Sequence, residues 1–176
     1  MRYFKKLEGE KVYLSPINVD DAEKYVKWLN DAKINQYLSC NNSFFSLTGE
    51  KEFLEKESSK EFMFAIVKQE NDELIGNVGL DEVNYKCGTA TLGIFIGEQE
   101  NLSKGYGSEA IKLLLSFAFN ELRLHNIMLT VYDMNKRAQH AYKKCGFKEI
   151  GRRHEARFHD GKYHDIIYME VINDKI

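Results

Sequence analysis

The stretch Asn101–Phe119, NLSKGYGSEAIKLLLSFAF, decides how the rest of the chain is read. Gly105 and Gly107 flank Tyr106 and run straight into a long apolar segment with helical spacing. Glycine lets a backbone turn sharply and approach a ligand closely, and the first turn of a helix leaves N–H groups without intrahelical acceptors. With the positive end of the helix dipole behind them, such amides are suited to hold a phosphate. Lys104 adds a cation, and Ser108 offers a hydroxyl that caps the helix or bonds an oxygen. The bland alternative is a helix start that merely needs flexible residues.

Two common phosphate patterns fit poorly. Gly105–Ala110 matches GxGxxA, a variant of the dinucleotide fingerprint, and Asp133 lies where a ribose-binding acid would be expected. That fingerprint puts its first glycine at the end of a strand, whereas seven residues, Glu98–Lys104, separate Gly97 from Gly105. The 66 residues after Ala110 are also too few for a doubly wound domain. No GK[ST] follows the glycines, which removes the P-loop.

Outward from this stretch, the pattern predicts a strand over Lys11–Ile17. A helix follows from Asp20 or Asp21, with Ala22, Tyr25, Val26, Trp28 and Leu29 at helical spacing. Cys40–Gly49 reads as a loop with exposed aromatics, and a short helix follows around Glu50–Lys56, its glutamates on a solvated face. Strands are expected over 61–68, 73–85 and 89–97, joined by the short links Asn71-Asp72 and Lys86-Cys87-Gly88 as antiparallel neighbours. The glycine-led helix takes 106–122, a buried strand 126–132, and a second helix 135–146, closed by Gly146. A hairpin turning at Asp160-Gly161 completes the chain. The expected fold is a mixed α/β, mostly antiparallel sheet flanked by helices. With 176 residues, one proline and neither linker nor repeat, a single domain over 1–176 is expected.

Composition narrows the function classes. Apolar residues make up 43%, charged residues 30%, and the net charge is -2, so nothing marks a nucleic-acid binder. The three cysteines, Cys40, Cys87 and Cys145, form no CxxC pair, which suits a reducing compartment and suggests no zinc site. The start, MRYFKKLEGEKVYL, has no apolar run of signal-peptide or membrane-span length, so a cytoplasmic location without membrane attachment is the expectation. His125 reads as a loop or packing residue. His154, His159 and His164 show neither a paired carboxylate nor a metal-ligand spacing, and no metal is expected.

GIFIGEQENLSKGYGSEA followed by NKRAQHAYKKCGF resembles the coenzyme A-binding half of the GNAT superfamily of N-acetyltransferases. LIGNVGLDEVNY and FHDGKYHD extend the resemblance over most of residues 11–172. It is closest to the branch of spermidine acetyltransferases and ribosomal-protein N-terminal acetyltransferases. The resemblance implies a GNAT-like acyl-CoA N-acyltransferase fold, with an acceptor-side part near residues 1–60 and a coenzyme A-binding part near 88–146. It implies acetyl-CoA as co-substrate and an amine-bearing acceptor, with a homodimer as the family-level assembly.

Residue by residue, the resemblance implies that Leu102, Ser103, Lys104, Gly105, Tyr106, Gly107 and Ser108 meet the diphosphate of coenzyme A. Leu102 stands where relatives carry Gln or Arg, so it offers only its backbone. Ile94, Phe95 and Ile96 would pair with the pantetheine arm, and one of their N–H groups would polarise the thioester carbonyl. From the residues alone these three read as core strand. Asn135 reads as an N-cap, and the resemblance adds a coenzyme contact. Tyr142, two helical turns on, shares its face. Its phenol, neutral at physiological pH, is the candidate general acid for the leaving thiolate; the alternative is a core tyrosine packed with Phe147.

The attacking amine must lose a proton. Relatives often place a glutamate at the position of Thr91, which is no base. Glu82 on the adjoining strand is the candidate replacement and Asp81 the runner-up; alternation sends the two to opposite faces. The acceptor pocket is expected from residues 28–48, which include Trp28, Tyr37, Phe44 and Phe45, and from the hairpin near 157–165. Ser39-Cys40-Asn41-Asn42 replaces the paired glutamates of spermidine acetyltransferases. A polyamine-like amine, an amine-bearing antibiotic and a protein N-terminus all stay open. So does a non-catalytic acyl-CoA-binding sensor or interaction module, which the missing carboxylate at Thr91 would favour.

Overall fold

The computed structural model describes residues 2–40 and 42–173; Asn41, within the loop expected over Cys40–Gly49, lies outside the described residues. The described strands are β1 (Leu7–Glu8), β2 (Val12–Pro16), β3 (Met63–Lys68), β4 (Leu74–Asn84), β5 (Thr89–Ile96), β6 (Asn126–Tyr132), β7 (Lys148–His159) and β8 (Lys162–Ile172). The described helices are α1 (Ala22–Leu29), α2 (Ala32–Asn35), α3 (Leu47–Ser58), α4 (Tyr106–Asn120) and α5 (Lys136–Lys144).

Caps explain most helix starts. In α1, Ala22, Tyr25 and Trp28 fall on one stripe, and all three are buried. The short α2, which apolar spacing does not announce, follows Asp31, whose side chain accepts from Lys33 N. Helix α3 begins about one turn earlier than expected because Ser46 accepts from Gly49 N. Asn135 caps α5 in the same way, accepting from Ala138 N.

The strands join one mixed sheet in the order β1-β2-β3-β4-β5-β6-β8-β7. Antiparallel ladders link β2 to β3 and β3 to β4, and β8 to both β6 and β7. The parallel ladder of β5 with β6 pairs Thr89, Ala90 and Thr91 with Asn126, Ile127 and Met128, and among the described residues it goes no further. Asp160 and Gly161, with φ of +49° and +74°, make the expected tight turn between β7 and β8.

The chain divides into two compact units. The first takes Met1–Gly79 with Ile94–Leu113. One of its clusters gathers Tyr13, Tyr25, Trp28, Leu54, Ala65 and Leu74, with Phe95 packed against it. Trp28 meets Tyr25 and Phe95 edge-on, at ring separations of 5.3 and 5.7 Å. A Cβ on Gly97 would fall 2.0 Å from Trp28 Cδ2, so the indole lies flush against bare backbone. The second unit takes Leu80–Gly93 with Leu114–Ile176. In β6 the residues alternate: Ile127, Leu129 and Val131 are buried, while Asn126, Met128, Thr130 and Tyr132 are not.

Candidate functional site

In the first unit, the segment before α4 is a reversing loop. A 3-10 turn at Gln99–Asn101 leads into Ser103 and Gly105, whose φ values of +60° and +90° lie in the left-handed region. The first α4 bond runs from Glu109 N to Gly105 O at 3.0 Å, so the amides of residues 106 to 108 precede the helical ladder. The Glu109 carboxylate faces elsewhere: it accepts from the amides of Glu10 and Lys11. The acid of the first turn is thus tied to the β1–β2 link. Lys11 Nζ donates to Lys104 O at 3.1 Å, which brings a second ammonium to the loop. Asn101 is 2% exposed, yet among the described residues neither Oδ1 nor Nδ2 of its amide has a hydrogen-bond partner. Glycine backbone, first-turn amides, two lysines and an unsatisfied buried amide fit a diphosphate.

Ile94, Phe95 and Ile96 are half-buried rather than core, although β5 lies inside the sheet order. A Cβ on Gly107 would sit 3.6 Å from Ile94 Cδ1 and 3.7 Å from Ile96 Cγ1. Phe95 points the other way, to Trp28. The two faces of this segment are therefore chemically distinct: one looks to the start of α4, the other to α1. The indole Nε1 of Trp28 donates to Glu98 Oε1 at 3.2 Å. Glu98 groups with Glu73 and Glu100, and two of these three carboxylates already have protein partners: Glu98 in Trp28, and Glu73 in Lys68 at 2.8 Å and Lys24 at 3.5 Å.

In the second unit, Thr91 Oγ1 donates to Glu82 Oε2 at 2.9 Å. Glu82 has φ of +53°, a local irregularity in β4. Thr91 is the ladder partner of Met128, so Glu82, Thr91 and Met128 share the open side of these strands. On α5, Asn135 is the cap and Tyr142 is half-buried, its ring 6.1 Å from that of Phe147. No residue of α5 is fully buried, so Tyr142 is not a plain core tyrosine. Burial pushes its phenol up to about 12, with Cys145 adding to the shift and Arg137 opposing it. The group is thus held protonated.

Several expectations need correction. His164 Nδ1 stands 2.9 Å from Asp133 Oδ1, and His154 Nδ1 stands 3.3 Å from Asp165 Oδ2, so both histidines do have carboxylate partners. Sequence spacing hid the His164 pair because the β6–β8 ladder, not local chain, aligns Tyr132 with Ile166. Glu50 and Glu57 do not decorate a solvated face: they are 3% and 6% exposed, while Glu52 and Glu55 are exposed as expected. Trp28, at 2% exposure, is a packing hub rather than an open pocket wall, whereas Phe44 is fully outside at 99%.

Residues 11–148 match the family described as acetyltransferase (GNAT) domain. The chain belongs to the GNAT acetyltransferase family. It is similar to the probable N-acetyltransferase YjcK of Bacillus subtilis (strain 168), at 30% identity over 80% of this chain and 82% of that protein. Among solved structures it is similar to the spermidine N-acetyltransferase of Vibrio cholerae in complex with CoA and spermine. That likeness has a TM-score of 0.82 at 29% identity, covering 93% of this chain and 96% of that one. A GNAT-family acetyltransferase of Bacillus anthracis shares the fold, with a TM-score of 0.82 at 20% identity over 94% and 97% of the two chains. This GNAT protein is an N-acetyltransferase.

Proposed function

We propose that this GNAT enzyme transfers an acetyl group from acetyl-CoA to a primary amine by direct attack. The observation that carries the reading is the loop before α4, where left-handed Gly105, the amides ahead of the helical ladder and the Lys104 and Lys11 ammonium groups present donors to a diphosphate. Ser103, Tyr106, Gly107 and Ser108 take part through their backbone, and Leu102 does so without a polar side chain. Ile94, Phe95 and Ile96 would align the pantetheine arm, and a strand amide would stabilise the charge that develops on the thioester oxygen. The bound coenzyme supplies an activated acetyl group and a thiolate leaving group.

The remaining roles belong to side chains of the second unit. Glu82 would take the proton of the incoming ammonium, and Tyr142 would return one to the thiolate; Asn135 would steady the coenzyme while capping α5. The bond from Thr91 to Glu82 supports this role, because it brings a carboxylate to the position where threonine alone offered none. It also weighs against a non-catalytic sensor. The acceptor is a small amine, polyamine-like or antibiotic, or a protein N-terminus; the spermidine N-acetyltransferase likeness supports the polyamine-like member. Free-thiol release from acetyl-CoA with an amine panel tests the reading, with mass detection of an added acetyl group of about 42 Da on the product. Absence of thiol release with every amine would overturn it.

A further inference from the structure

Within the first unit, the link between β1 and β2 is bonded to the start of α4. The Glu109 carboxylate accepts from the amide of Glu10, and from that of Lys11 through both oxygens, at 3.0 and 3.2 Å. Lys11 Nζ continues to Lys104 O at 3.1 Å. The link is also fixed from β3: Gln69 Nε2 donates to Gly9 O at 3.0 Å, and Gln69 N to Lys11 O at 2.9 Å. Gly9 permits the approach, because a Cβ there would collide with Glu109 Oε1. Its φ is not positive, so closeness to Glu109 rather than backbone conformation calls for glycine at this position.

These bonds act on the segment that carries the diphosphate donors. Lys104 stands between Ser103 and Gly105, whose φ values are +60° and +90°, and a left-handed serine persists only where its surroundings hold it. A cleft of about 340 Å³, lined by Glu10, Lys11, Gln69, Glu70, Lys104 and Tyr106, lies between link and loop. Hydrogen bonds rather than apolar packing therefore join the two. Charge gives a second reason for the arrangement. A carboxylate in the first turn suits the helix dipole but opposes an anion at the same amides, and bonding to the link turns Glu109 away from them.

We propose that Glu109 is a positioning residue for the donor: through the β1–β2 link it holds the Ser103–Gly105 loop in its coenzyme-binding shape before the coenzyme arrives. This rests on the acetyl-CoA reading above. A loop already ordered loses less conformational entropy on binding, so the clasp acts on coenzyme affinity and leaves the later proton transfers alone.

The test is calorimetric titration of coenzyme A into the full-length protein, Gly9→Ala, Glu109→Ala, Glu109→Gln and the double variant Gly9→Ala with Glu109→Ala. Kinetics at saturating acetyl-CoA run beside it. Gly9→Ala and Glu109→Ala should each raise the Kd about 10-fold, while Glu109→Gln, which keeps an oxygen acceptor, stays within about 3-fold. The double variant should bind no worse than Glu109→Ala alone, because the collision disappears with the carboxylate. The kcat and the KM for the amine should be unchanged throughout. Urea unfolding confirms that each variant folds; if Glu109→Ala does not, Gly9→Ala against Glu109→Gln carries the comparison. An unaltered Kd in folded Gly9→Ala and Glu109→Ala, even with a lowered unfolding midpoint, overturns the clasp and leaves the acetyltransferase reading standing. A loss confined to kcat or to the amine KM overturns it too. Absence of coenzyme A binding by the unaltered protein overturns that reading and the clasp with it.

Discussion

The hydroxyl of Thr91 donates to the Glu82 carboxylate at 2.9 Å, so a side chain that cannot take a proton orients a carboxylate that can. The pair defines the first prediction. Glu82→Gln lowers kcat/KM for the amine by about 10²-fold or more, since general bases contribute roughly 10²–10⁴-fold. The alkaline side of the pH–rate profile recovers part of the loss, because free amine grows more abundant there. Thr91→Val, which frees the carboxylate without removing it, costs less. Equal rates in Glu82→Gln and the unaltered protein would exclude the role.

Tyr142→Phe removes a hydroxyl that burial keeps protonated. The expected effect is a fall in kcat of about 10²–10⁴-fold with little change in coenzyme A affinity, since a general acid acts on the leaving group rather than on binding. Stopped-flow thiol release together with calorimetric titration of coenzyme A separates the two quantities. A loss confined to coenzyme affinity would make Tyr142 a binding residue instead.

At Gly105 the φ of +90° makes any side chain costly. Gly105→Ala and Lys104→Glu each weaken coenzyme A binding in calorimetry, the first by straining the loop and the second by opposing the diphosphate. About 10-fold is expected for either, in keeping with the loss of roughly one charge-assisted hydrogen bond. Dephosphorylated coenzyme A that keeps its diphosphate should suffer the same losses.

Glu50 makes stability depend on pH. Its carboxyl is raised from the ordinary 4.5 to about 7 by burial, so between those values the folded chain holds a proton that the unfolded chain has lost. Stability from this group is therefore greatest below pH 4.5, declines as pH rises toward 7, and levels off above it. Urea unfolding at pH 5 and pH 8 should show Glu50→Gln flattening that decline, with a relative gain at pH 8 on the order of 2 kcal/mol. An unchanged slope in the variant would place the pH dependence elsewhere.

Gly97→Ala tests the Trp28 hub. The added methyl would meet the indole ring at 2.0 Å, and overpacking of this kind costs about 1–3 kcal/mol. A lowered unfolding midpoint and altered tryptophan fluorescence are expected together, because the same ring bears the clash.

Local signals made much of the architecture legible. Asn126–Tyr132 forms a strand over the span its apolar alternation indicates, and Asn135 and Gly146 bracket α5 because capping depends on neighbouring residues alone. The hairpin turn at Asp160-Gly161 is legible for the same reason. Other features escaped. Helix α2 rests on a side-chain cap at Asp31 rather than on apolar spacing, and α3 starts at the Ser46 cap, ahead of its apolar stripe. Glu50 looked solvated because its neighbours Glu52 and Glu55 are; only the packing of α3 against α1 turns it inward.

By itself the sequence determined most element types, the glycine-led loop before α4 and the residue chemistry on which the family resemblance rests, since each follows from spacing within one turn or strand. Tertiary structure decided which distant residues meet: Thr91 with Glu82, and His164 with Asp133. The reason is that ladder register and helix packing join residues far apart along the chain, and neither leaves a local trace in the order of amino acids.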